Sequence, residues 1–103
     1  MNLIFSSVFE QDFAELVRYF AREASIEVAT QFEENTYDLI NRLRRNPKIG
    51  RIREDLRPVG IHSFRVSGFE RYLMFYQIRG KDLILLRLRY GGMNLQALFL
   101  YLQ

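Results

Sequence analysis

The chain is expected to fold as an α+β domain: an N-terminal strand, a helical hairpin, then a three-stranded antiparallel meander. Three observations point there. From Ile61 to Tyr90 the sequence holds three strand-like runs, IHSFRV, RYLMFYQI and DLILLRLRY, separated only by Ser67-Gly68-Phe69-Glu70 and Arg79-Gly80-Lys81. Connections that short cannot contain the crossover a parallel pair requires, so the runs should pair antiparallel. Ahead of them, two segments between Phe9 and Leu43 carry apolar residues at helical spacing. The 103 residues, 49% of them hydrophobic, are enough for one core, so residues 1–103 are read as a single domain.

Asn2 to Ser6 reads as the first strand. Ser7 stands three residues before Glu10, the spacing of a capping box in which each side chain satisfies an orphaned backbone N–H. The helix that follows places Phe9, Phe13, Leu16, Val17 and Phe20 on one stripe. It fades at Glu23-Ala24-Ser25, where Ser25 can cap a second helix. There Val28, Ala29, Phe32, Thr36, Leu39, Ile40 and Leu43 form the inward stripe, with Glu33, Glu34 and Asp38 outside. A joint of a few residues makes the pair an antiparallel hairpin, and Asn46-Pro47 stops the second helix.

Lys48 to Val59 has little periodicity and reads as an irregular connection carrying Arg51, Arg53 and Arg57. The meander comes next. With the first strand beside it, the sheet should have about four strands, one face covered by the hairpin. Met93 to Gln103, MNLQALFLYLQ, is strongly apolar and reads as a last helical turn or an edge strand. Such a tail completes the core or, if exposed, forms a patch seeking a partner.

Charge is distributed unevenly. Met1 to Asn41 holds eight acidic residues against Arg18 and Arg22, a balance of −6; Arg42 to Gln103 holds thirteen basic against four acidic, a balance of +9. Thirteen of the fifteen basic residues are Arg, whose planar fork suits carboxylates, phosphates and aromatic rings better than lysine does. Two readings stay open: a solvated rim, or a surface for an acidic protein or a nucleic acid.

Several chemistries lack their residues. The absence of Cys removes disulfides and thiolate metal sites and fits a cytoplasmic protein. The N-terminal Met1-Asn2-Leu3-Ile4-Phe5 has no basic region, so no signal peptide is expected, and no apolar run approaches the roughly 20 residues that span a bilayer. No phosphate-cradling glycine loop is present. The single histidine, His62, reads as a strand-end residue with its polar tip in water, since a general base needs an orienting partner. The acidic residues fall mostly at exposed helical spacing. No catalytic residue, metal or cofactor is therefore expected.

The strand arginines offer more. Arg65 lies in the first run and Arg71 opens the second, while Arg87 and Arg89 share one face of the third by two-residue periodicity. Tyr72 and Tyr76 share a face of the second run with Met74 between them. If that face meets Arg87 and Arg89, the result is an Arg–Tyr surface suited to stacking and bidentate ion pairing. The competing reading is that the tyrosines pack at the sheet margins and the arginines pair with helix carboxylates.

Taken in order, LINRLRRNPKIG (Leu39 to Gly50), REDLRPVGIHSFRV (Arg53 to Val66), RYLMFYQI (Arg71 to Ile78) and LILLRLRYGGMN (Leu83 to Asn94) resemble the toxins of the RelE/ParE superfamily, more closely its ParE branch. Each motif is short, and their succession over nearly the whole chain carries the likeness. The resemblance implies the compact α+β toxin fold and a type II toxin–antitoxin system. It also implies neutralisation by a cognate ParD-like antitoxin whose tail wraps the toxin in a hetero-oligomer.

RelE-like members cleave messenger RNA on the ribosome, with an Arg inside the central strand ahead of a Val/Phe-Tyr pair, another Arg after the last strand, and an acid–base group near the C-terminus. Here Leu73-Met74 precedes Phe75-Tyr76, and Gly91-Gly92-Met93-Asn94 offers no match for the second Arg. Many relatives carry a His-Gly and an Arg-Asp pair where this chain has Tyr90-Gly91-Gly92-Met93-Asn94. ParE-like members instead bind DNA gyrase and trap it on cleaved DNA. The resemblance therefore implies a non-enzymatic gyrase inhibitor, with no membrane and no sequence-specific nucleic acid as direct partner. Arg65, Arg71, Tyr76, Arg87, Arg89 and Phe99 are the expected contacts with antitoxin or target. The alternatives are a ribosome-dependent endoribonuclease and a degenerate toxin that only binds its antitoxin.

Overall fold

The computed structural model describes residues 1–102. β1 (Asn2–Phe5) leads into α1 (Ser7–Glu23) and α2 (Ile26–Arg45), then a 3-10 turn at Pro47–Ile49 and the short β2 (Arg51–Ile52). β3 (His62–Val66), β4 (Phe69–Arg79) and β5 (Asp82–Tyr90) follow, and a 3-10 helix over Gln96–Leu102 ends the described chain. The α+β order is the one expected from the sequence.

Serines start both helices. Ser25 Oγ accepts the Val28 N–H at 3.1 Å, as its position suggested. For α1 the cap is Ser6 and not Ser7: Ser6 has extended backbone and its Oγ accepts the Phe9 N–H at 3.0 Å, one residue earlier than the capping-box spacing implied. Ser6 is favoured because its hydroxyl also donates to Leu86 O at 2.9 Å, so it fixes both the helix start and its place on the sheet.

The sheet has five strands in the order β1-β5-β4-β3-β2. β3, β4 and β5 form the expected meander, with hairpin pairs Val66↔Phe69 and Arg79↔Asp82 that leave two residues in each loop. Gly68 (φ 79°) and Gly80 (φ 60°) supply the left-handed backbone such tight loops need. β1 joins β5 in parallel, its register running from Asn2↔Asp82 to Phe5↔Leu85. The fifth strand, β2, falls inside the stretch read as irregular. It pairs Arg51 with Ser63 and Ile52 with His62 and is only two residues long, too short to leave a periodic signal.

One sheet face is covered by the helical hairpin. Phe9, Phe32, Leu39, Ile40 and Leu43 meet Val66, Met74, Tyr76, Leu83, Leu85 and Leu88 in the larger core. The rest of the α1 stripe, Phe13, Leu16, Val17 and Phe20, packs partly buried against it. The other face is not left open. Leu56 and Ile61 from the 53–61 connection and Leu98 and Phe99 from the C-terminal 3-10 helix cover Phe75 and Leu86 in a second core. The apolar tail thus completes the molecule as a helical turn; Gln103 lies outside the described residues. Among the described residues no helix is long and apolar enough to cross a membrane.

Candidate functional site

β1 pairs with β5 only as far as Leu85, so the edge of β5 beyond it would leave backbone groups unsatisfied. Three side chains close it. Ser6 Oγ and the Tyr101 hydroxyl, the latter at 3.1 Å, both donate to Leu86 O, and Asp12 accepts the Leu88 N–H at 3.1 Å. Asp12 also receives Arg87 through two parallel bonds, Nε to Oδ2 at 2.7 Å and Nη2 to Oδ1 at 3.0 Å, with Arg89 Nη1 at 3.4 Å. The third donor of Arg87 reaches Leu98 O at 2.9 Å and ties down the C-terminal helix. Asp12 is 3% exposed, a buried carboxylate on a helix whose acids were expected to face water. This cluster locks α1, β5 and the tail together.

Above it, α1 and the free ends of β4 and β5 enclose an open groove of about 720 Å³. Arg18, Tyr19 and Arg22 line one wall from α1, and Arg71, Tyr72, Arg89 and Tyr90 line the other. In the sequence Arg18 and Arg22 enter only the charge balance of the first half, and nothing local marks them as one wall of a site. Only the tertiary fold sets them opposite Arg71. Tyr72 packs edge-on to Tyr90 at 5.9 Å, and burial raises its hydroxyl pKa above the usual value. Gly91 donates its N–H to Arg71 O at 2.8 Å. A Cβ on Gly92 would clash with the Tyr90 ring, so a glycine there lets the ring lie against the turn.

The strand register decides between the two readings of the strand arginines, against a shared Arg–Tyr face. Tyr72 stands opposite Tyr90 and Met74 opposite Leu88, whereas Arg89 is opposite Leu73 and Arg87 opposite Phe75. The arginines therefore share a face with Leu73 and Phe75, and Arg65, also opposite Leu73, completes the row Arg65–Leu73–Arg89 across three strands. Tyr72 and Met74 turn to the helices instead.

The six expected contact residues divide by burial. Arg65 and Arg71 are exposed, Arg65 donating to Glu70 O at 3.2 Å, and Arg89 is partly exposed. Arg87 is only 13% exposed at the side chain and consumed by Asp12. Tyr76 and Phe99 are fully buried, so both hold the interior and offer no contact surface. The Tyr76 hydroxyl donates to Pro47 O at 2.7 Å and accepts the Gly50 N–H at 3.1 Å, clamping the 3-10 turn onto the sheet, and burial raises its pKa. His62 stacks on the Tyr76 ring at 5.2 Å with Nδ1 3.1 Å from Gly60 O. Its neighbours are thus a ring and a backbone carbonyl.

Near β2, Arg53 lies buried with its guanidinium 5.9 Å from the Phe75 ring and bonds Asp55 at 2.8 and 2.9 Å. These bonds from Arg53 hold the Asp55 pKa down at about 2. Among the described residues no group of three or more His, Cys, Asp or Glu is placed to hold a metal ion. On the opposite flank of α1, Phe5, Phe9, Phe13, Ala14, Val17 and Tyr37 line a mostly apolar groove of about 560 Å³.

A strand, a helical hairpin and an arginine-bearing meander closed by an apolar tail make up a small toxin-type α+β architecture. The chain belongs to the ParE toxin family of type II toxin–antitoxin systems: the family model described as "ParE toxin of type II toxin-antitoxin system, parDE" matches residues 3–95. It is 35% identical over 72 residues to Toxin ParE3 of Caulobacter vibrioides, an alignment covering 70% of this chain and 68% of that protein. Its fold is similar to a chain from the solved chromosomal ParDE TA system of P. aeruginosa. The TM-score is 0.74 at 17% identity, covering 87% of this chain and 95% of that one.

Proposed function

We propose that this toxin acts by binding a type II topoisomerase, DNA gyrase, and blocking its cycle, and that a ParD-like antitoxin neutralises it in a hetero-oligomer. The observation that carries the reading is the occupant of the middle of the arginine face. Leu73 stands there between Arg65 and Arg89, an apolar side chain at the centre of a cationic rim. That composition suits a protein interface, in which an apolar centre is ringed by polar groups and Arg and Tyr are favoured anchors. Phosphodiester cleavage asks instead for a cation aimed at the developing negative charge and an acid–base group within hydrogen-bond reach. Arg87, the least exposed strand arginine, is already neutralised by Asp12, and His62 is stacked on Tyr76.

The antitoxin reading draws support from charge. The second half of the chain carries the positive balance, and Arg65, Arg71 and Arg89 keep exposure on that side. Complementary charge on an acidic antitoxin would raise association rate and partner choice more than raw affinity.

Purified gyrase with relaxed plasmid tests the proposal: added toxin should stop supercoiling and leave cleaved DNA, and antitoxin added first should prevent both. Unchanged supercoiling at micromolar toxin overturns it. Primer extension on translated messages after induction should find intact transcripts; toxin-dependent cuts would favour the ribonuclease.

A further inference from the structure

We propose that the groove between α1 and the ends of β4 and β5 binds the phosphodiester backbone of single-stranded nucleic acid without reading its sequence. The inference does not rest on the topoisomerase reading, because it concerns the free toxin. Its first ground is uncompensated charge. Arg18, Arg22, Arg71 and Arg89 line the groove against two acids, and one of these, Asp12, is already taken up by Arg87. Arg22 pairs with Glu23 at the exposed helix end and Arg89 reaches Asp12 only at 3.4 Å. Among the described residues Arg18 and Arg71 have no ion-pair partner. Concentrating four guanidinium groups in one concavity raises the local potential and calls for an anion.

The second ground is continuity. A smaller cavity of about 190 Å³ shares Arg71 and Tyr90 with the groove and adds Arg65, with Glu70 as the one acid in its lining. A third, of about 290 Å³, shares Arg65 with the second and adds Arg51 on β2. The cations therefore form a track from α1 across the sheet to its far edge, matching a ligand that repeats its negative charge along a line. A single small anion would use one end of it.

The third ground separates a nucleic acid from an acidic peptide. Tyr19 and Tyr90 are 42% and 45% exposed among the arginines, so phenol rings are interleaved with the cations. Aromatic platforms in a basic groove let unpaired bases of any identity stack while the guanidinium groups hold phosphates.

Fluorescence anisotropy of labelled oligothymidylate and oligouridylate with the purified chain tests this, the two strands distinguishing DNA from RNA as the natural source of the backbone. Either strand should bind, more weakly as salt rises from about 50 to 200 mM. Arg18→Glu and Arg71→Glu should each lower affinity roughly tenfold or more, and the Arg→Ala forms should each reduce the salt slope by about 1. Arg79→Glu, an equal charge change at the exposed far end of β4 outside the groove, should leave affinity within about threefold, a long-range effect that salt screens. Tyr90→Ala should weaken binding several-fold with the salt slope unchanged. All four positions are exposed, and circular dichroism verifies that each variant is folded. The proposal is overturned if neither strand binds at the lowest salt, if duplex binds more tightly than single strand, or if Arg79→Glu costs as much as Arg71→Glu. It is also overturned if an oligoglutamate peptide binds where the strands do not.

Discussion

Asp12 sits 3% exposed on a helix whose remaining acids face water. A carboxylate there is tolerated because it receives two bonds from Arg87, one from Arg89 and one from the Leu88 backbone. Removing one partner of such a buried pair is costly, since the other charge is left without compensation. Asp12→Ala should therefore lower unfolding free energy by about 3–5 kcal/mol in urea titrations. Arg89→Ala, at the long and more exposed contact, should lower it by about 1 kcal/mol or less. If the two losses are equal, Asp12 does not act through Arg87. The sequence offered the pairing of strand arginines with helix carboxylates as one of two readings but not which acid, because the partners lie 75 to 77 residues away and helical spacing alone places Asp12 among ordinary surface acids. Tyr76 makes the same point from the other side. Period-two alternation correctly put it on one face with Tyr72 and Met74, but alternation cannot tell which face meets the helices.

At the scale of elements, the helices and hairpins were readable because their signals are local: stripes at three and four residues, a serine before each helix, glycine in each tight loop. The single-residue error at the first cap arose because Ser6 and Ser7 are both good caps, and a contact with β5 chooses between them. That choice can be measured. Ser6→Ala should cost about 1–2 kcal/mol of stability, mainly from the lost Phe9 N–H acceptor, since the Leu86 carbonyl keeps its bond from the Tyr101 hydroxyl. Ser7→Ala, inside the first turn, should stay within about 0.5 kcal/mol. Equal costs would mean that the cap is shared. β2 escaped the reading for a different reason. Two residues cannot establish an alternation, and only the pairing of Arg51 with Ser63 makes them a strand.

At the scale of the molecule, the topology of the meander and its helical cover followed from connection lengths and apolar patterns, whereas the second covered face did not. The apolar tail left its own position open, since a run of leucines around Phe99 fits a core or an interface equally well. The fold decides through polar ties as much as apolar ones. Arg87 bonds Leu98 O, Tyr101 bonds Leu86 O, and Gln96 exchanges two bonds with the Arg57 backbone. The radius of gyration, 13.1 Å, is that of a compact chain this long, about 13 Å for 100 residues. Phe99 is fully buried against Phe75, their rings 5.3 Å apart and nearly perpendicular. Phe99→Ala should therefore destabilise by about 3–5 kcal/mol through lost burial and the cavity left behind. Leu100→Ala, at a position 61% exposed, should change stability by about 0.5 kcal/mol or less. Urea unfolding of both variants checks this, with antitoxin affinity measured alongside under conditions where each is folded. If Phe99→Ala instead left stability intact and abolished antitoxin binding, the tail would be an interface that merely rests on the sheet, and the second core would not be one.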